Sequence, residues 1–130
     1  MCIRDRWDEF PDDAVMVGVF DAEVSDLAKR MAKHKPKFTI VADESYETFL
    51  ENGVSKSVAG LMLAPLRAPL TTLEAMLRGY VPMTMSMSKL STMPVDVLID
   101  EEGKVAEAHY CRDTVDHLPI DRLVSFAKGN

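Results

Sequence analysis

The sequence is short of several things, and each shortage excludes something. It has two cysteines in 130 residues, Cys2 and Cys111, too few and too far apart for a disulfide framework. There is no cluster of five or six basic residues and the formal charge is −6. Binding to nucleic acid or to an anionic membrane surface therefore has no electrostatic basis. No apolar run exceeds about ten residues, where a membrane-spanning helix needs about twenty. The opening "MCIRDRWDEFPDD" is charged where a secretion signal needs an apolar core, so no signal peptide is expected. No Gly-rich phosphate loop, no Ser/His/Asp spacing and no internal repeat is present. What is there is 47% hydrophobic residues, enough for a core and at a length that suits one domain. The expectation is a soluble cytoplasmic protein with reduced thiols.

The pattern along the chain predicts an α/β fold. "AVMVGVF" (Ala14–Phe20) is a continuous apolar run of strand length, rich in valine, and reads as a buried strand. Val24, Leu27, Ala28 and Met31 then recur at helical spacing. Asp21 or Ser25 is a candidate cap, Lys33, His34 and Lys35 suit the helix C-terminus, and Pro36 stops the helix. "FTIVA" (Phe38–Ala42) is a second strand. "DESYETFLENG" is a short helix with Asp43 as cap, Tyr46, Phe49 and Leu50 inside, and Gly53 beyond its end.

Residues 54–90 hold Pro65, Pro69 and Pro82 and read as an irregular insert, helical only over Thr71–Arg78. Met83, Met85 and Met87 alternate with polar residues, as a strand, an extended loop or an adaptable binding surface would. Arg67 and Arg78 are read as solvated surface. After Pro94, "VDVLID" and "VAEAHY" alternate around "EEGK" and predict a β-hairpin with Gly103 in its turn. Asp96 is placed on the solvent side or at a sheet end. The closing "DHLPIDRLVSFAKGN" predicts a helix with Pro119 in its first turn. The order is βαβα, insert, ββα, a mixed sheet with helices on its faces.

That order, with a proline directly before the hairpin, resembles the thioredoxin-like fold. It is similar most closely to the peroxiredoxin-like branch, the alkyl hydroperoxide reductase and thiol-specific antioxidant group. "VMVGVFDAEVSDLAKRMAKHK" looks like the strand and helix that follow that family's active-site helix. "FTIVADESYETFLENGV" looks like its phenylalanine-led strand and tyrosine-bearing helix, "MPVDVLIDEEGKVAEAHY" like its proline-led hairpin, and "RDTVDHLPIDRLVSFA" like the tail of one subgroup. Together they cover about half of the chain. The resemblance implies that Met93–Pro94 is a cis peptide whose backbone edge is free for a substrate or partner. It implies a cysteine thiolate that attacks a peroxide, a thiol reductant that restores it, and no cofactor; a homodimer is compatible with it.

The family carries a strand, a Thr-x-x-Cys or Cys-x-x-Cys loop and a helix before the equivalent of "AVMVGVF", but only thirteen residues precede that run here. The chain is accordingly read as a single, partial thioredoxin-like domain over 1–130, lacking the first strand and the active-site helix and inactive as it stands. By the same resemblance the absent strand is the central one, between Ala14–Phe20 and Pro94–Asp100, and its loss leaves unpaired sheet edges. Read back through the genetic code, "MCIRD" resembles a transposon end used to prepare sequencing libraries, so residues 1–6 are expected to be non-native and Cys2 incidental. Cys2 and Cys111 are the two thiol candidates for catalysis. Cys2 has no strand to hold it, and Cys111 stands where the family has a small residue. A metal set of His109, Cys111 and His117 is an alternative, as is a non-catalytic thioredoxin-fold binding module that uses the Met93–Pro94 edge and the methionine-rich insert.

Overall fold

The computed structural model describes residues 3–78 and 91–130. Met83, Met85 and Met87 of the expected methionine surface, and Cys2, lie outside the described residues. The fold is α/β, with four strands and five α-helices among the described residues. The chain packs as two compact units, Met1–Gly53 with Pro119–Asn130, and Val54–Leu118. No helix among the described residues is long and apolar enough to cross a membrane.

The first unit is built on a parallel crossover: β1 (Val17–Phe20), α1 (Val24–His34) and β2 (Thr39–Ala42), with Val17 opposite Thr39 and Phe20 opposite Ala42. Gly18 lies close under its neighbour across the ladder: a Cβ there would meet the tip of the Ile40 side chain, Cδ1, at 2.9 Å and push it aside. The first amide of α1 is satisfied by neither Asp21 nor Ser25. Glu44 does this from beyond β2, its Oε1 accepting from Val24 N at 2.7 Å. The helix ends as the sequence indicates: Lys35 takes a left-handed φ of 47° and donates its N–H back to Met31 O at 2.8 Å, and Pro36 follows. Leu27 is buried, and with Ala28 and Met31 it lines an apolar cleft against Phe38, Ile40 and Ala42.

Asp43 does cap α2 (Glu47–Glu51), from upstream: its Oδ2 accepts from Phe49 N at 3.2 Å. Tyr46 and Phe49 stack at 5.2 Å, but Leu50 is exposed rather than inside. A 3-10 segment, Ile3–Glu9, brings Trp7 between Phe10 and Phe38, with ring centroids 5.6 and 5.7 Å away. Arg6 ties the same segment to Asp121 of α5 (Ile120–Ala127) at 2.6 Å.

One expectation fails here. The run Ala14–Phe20 is not buried on both faces; Val15, Val17, Val19 and Phe20 are all exposed. A two-stranded ribbon is too narrow for the elements packed on it to cover both sides of a strand.

The second unit holds the hairpin, β3 (Val95–Ile99) and β4 (Val105–Tyr110), antiparallel with Val95 opposite Tyr110 and Asp96 opposite His109. Its turn forms where the alternation breaks. Asp100 Oδ1 accepts from Glu102 N and Lys104 N, both at 2.9 Å, and Gly103 takes the φ of 79° that the turn needs. The segment read as irregular contains two helices, α3 (Val58–Arg67) and α4 (Pro69–Leu77). Ser57 caps α3 through Gly60 N at 3.0 Å, Pro65 is accommodated inside it, and Pro69 opens α4 where its missing N–H costs nothing.

The four strands do not join into one mixed sheet. They form two separate two-stranded ladders, β1 with β2 and β3 with β4.

Candidate functional site

One group of titratable side chains of the second unit, Asp96, His109, Cys111, Asp116 and His117, gathers beside the open end of the hairpin. The pleat places Asp96 and Leu98 on the side opposite to Val95, Val97 and Ile99. Cys111 directly follows β4, and its N–H donates to Pro94 O at 3.0 Å, which fixes the thiol next to the start of β3. Residues 112–118 then turn back. Arg112 N donates to Asp116 Oδ2 at 3.0 Å, Val115 N to Asp113 Oδ1 at 3.0 Å, and the His109 ring contacts the Asp116 carbonyl.

This turn delivers His117 to Asp96. His117 Nδ1 donates to the two carboxylate oxygens at 3.0 and 3.2 Å, and Leu118 N donates to Asp96 Oδ2 at 2.7 Å. One potential ligand atom from each of Asp96, Cys111 and His117 lies within 4.8 Å of the other two. Cys111 is 6% exposed, whereas the His117 side chain is 49% exposed, so the group opens to water on the histidine side.

The electrostatics suit an anion–cation pair better than a reactive thiol. Burial pushes the Cys111 thiol up to about 12, and the carboxylates of Asp96, Asp116 and Asp113 add to the shift. The hydrogen bond to Asp96 holds the His117 imidazole above its ordinary value, outweighing its partial desolvation. Burial by itself would raise Asp96, but the bonds from His117 and the Leu118 amide prevail and hold the carboxyl below its ordinary range. The amide of Arg112 does the same for Asp116.

A second arrangement supports the turn from below. Asp113 is 1% exposed and forms an ion pair with Arg67 of α3. Arg67 is thus half-exposed, as its reading as solvated surface implies, and at the same time the ion-pair partner of the turn. Arg78 likewise pairs with Glu74 at 2.7 Å.

The expected residues fall as follows. Cys111 and His117 are brought together, but His109 is directed to Asp116, and Asp96 takes the third place. Asp96, expected on the solvent side or at a sheet end, stands at the open end of the hairpin ladder. The signal that locates it is the hairpin register, which sets it opposite His109. The Met93–Pro94 peptide is trans, as no cis bond occurs among the described residues. The backbone edge expected to be free at this point is taken by the chain itself. Met93 N donates to Ser55 O at 2.9 Å, Ser57 N to Ser91 O at 2.7 Å, and Lys56 bridges Thr92. Met93 is buried, its sulfur packed so close to Gly60 that a Cβ there would sit 2.6 Å away. In comparisons with known proteins, the chain matches no family model, no curated protein and no solved structure.

Proposed function

We propose that these residues belong to a thioredoxin-like, peroxiredoxin-like thiol oxidoreductase and supply its scaffold, with the nucleophile outside the described residues. Two features support this reading: the order of the elements, a parallel βαβ followed later by an antiparallel hairpin and a helix, and the exposure of apolar side chains on β1, which suits a sheet that is covered by further packed elements in a larger domain. The observation that carries the assignment of roles is the state of Cys111. A peroxidatic cysteine is a thiolate at neutral pH, favoured by a helix N-terminus or a nearby cation. Cys111 is buried among three carboxylates, which is the opposite environment.

In the proposed parent reaction a cysteine thiolate attacks one peroxide oxygen and the O–O bond breaks. The alkoxide leaves, to be protonated, and the sulfur becomes a sulfenic acid. A thiol reductant then displaces water to form a disulfide, and a second thiol returns the cysteine to its reduced state.

This chain is expected to turn over no peroxide in the presence of dithiol. Cys111 should form sulfenic acid roughly a hundredfold more slowly than an ordinary exposed thiol, from thiolate fraction offset by nucleophilicity alone. Trapping with a sulfenic-acid reagent and peptide mass spectrometry measures this. Stoichiometric sulfenic acid at Cys111 under mild peroxide would reverse the assignment.

A further inference from the structure

We propose that Asp96, Cys111 and His117 form a three-donor site for a divalent transition cation of the zinc class, with water completing its coordination. This goes beyond the oxidoreductase reading, and either can fail without the other.

Three separate stretches supply the donors, and each is fixed by the backbone: Asp96 by the Leu118 amide, Cys111 by its bond to Pro94, and His117 by the turn that Asp113 and Asp116 organise. The donors are one sulfur, one nitrogen and one oxygen. That mixture suits zinc and cobalt and does not suit calcium or magnesium, which take oxygen ligands. Donors around a tetrahedral zinc stand about 3.5 Å apart, from bond lengths of about 2.0–2.3 Å. The present group lies within 4.8 Å, so binding must draw the donors together by up to about 1 Å from that limit. The exposed side of His117 leaves a coordination position open to water. Charge also balances: a carboxylate and a thiolate neutralise a divalent cation. Binding displaces the Cys111 thiol proton, and the His117 proton when that ring is charged, and both go to solvent. His109 is not one of the residues whose donor atoms converge; its Nε2 meets the Asp116 carbonyl instead.

The test is a cobalt(II) titration of the chelator-treated full chain in a Cys2→Ser background, which leaves Cys111 as the one thiol of the sequence. One equivalent is expected to bind with a thiolate-to-cobalt charge-transfer band in the near ultraviolet, and zinc should bleach it. Cys111→Ser should abolish the band, Asp96→Asn and His117→Ala should weaken binding at least about tenfold, and His109→Ala should leave it in place. Saturating cobalt that produces no thiolate band would overturn the proposal, as would affinity unchanged in both Asp96→Asn and His117→Ala. If a variant fails to fold, two measurements on the chain with its native donors still decide: the cobalt spectrum, and whether one equivalent of zinc protects Cys111 from alkylation. A band with protection supports the site; neither refutes it.

Discussion

Replacing Arg67 with alanine is expected to cost about 2 kcal/mol of stability, the order of what leaving a buried acceptor without its partner costs. The size follows from an asymmetry in the pair. Asp113 is 1% exposed, while the Arg67 side chain is 51% exposed. Removing Arg67 strands a carboxylate that water cannot reach, leaving it the Val115 amide as a remaining donor. Removing Asp113 instead releases a guanidinium that is already half in water. The double variant Arg67→Ala/Asp113→Ala should therefore be more stable than the sum of the singles implies, by at least about 1 kcal/mol. Urea denaturation followed by circular dichroism gives all four corners of the cycle. Additive losses would show that the pair is not coupled and that the turn at 112–118 is held by its backbone bonds alone.

The second large effect is on pH dependence. His117 has its pKa raised in the folded chain. Its contribution is complete below the unfolded value, ordinarily near 6.5, and is lost as pH rises through the higher folded value. Asp96 has its pKa lowered. Its contribution is complete above the unfolded value, ordinarily near 3.8, and is lost as pH falls through the lower folded value. The pair should therefore stabilise the chain most between those two ordinary values, with a decline on either side. Asp96→Asn keeps the shape but removes the charge, so it should flatten both limbs and lower the plateau. Melting temperatures measured across pH in the presence of chelator would reveal this, and a wild-type profile that Asp96→Asn leaves unchanged would contradict the assigned pairing.

The local elements were legible where one physical signal dominated. The periodicity of Val24, Leu27, Ala28 and Met31, the stop at Pro36 and the turn glycine at 103 each fixed an element. Residues 58–67 were not legible, because Pro65 and Pro69 read as breakers. Pro65 falls inside α3, and Pro69 opens α4 at the one position that tolerates it. The cap that closes the interior of α3 was visible in principle as Ser57 with Gly60 three residues on.

The candidate site was half legible. Cys111 and His117 stand close in sequence, but Asp96 joins them only through the hairpin register and the return of the chain at 112–118. Those are long-range facts that no local pattern encodes. The burial of Asp113 had the same origin, since its partner Arg67 lies 46 residues away. The exposure of Ala14–Phe20 was misread for a different reason. An apolar run states that a strand seeks cover on both faces, but it does not state that the cover is present.

The central claim is that these residues are the scaffold of a thiol oxidoreductase whose nucleophile stands elsewhere. The measurement that tests it most directly is the sequence of the encoding DNA upstream of the Trp7 codon. The account predicts an open frame that continues into an apolar strand and then a Thr-x-x-Cys or Cys-x-x-Cys loop. A stop codon and a ribosome-binding site immediately before Met1 would contradict it, and the chain would then have to be understood through its own groups, Asp96, Cys111 and His117 first among them.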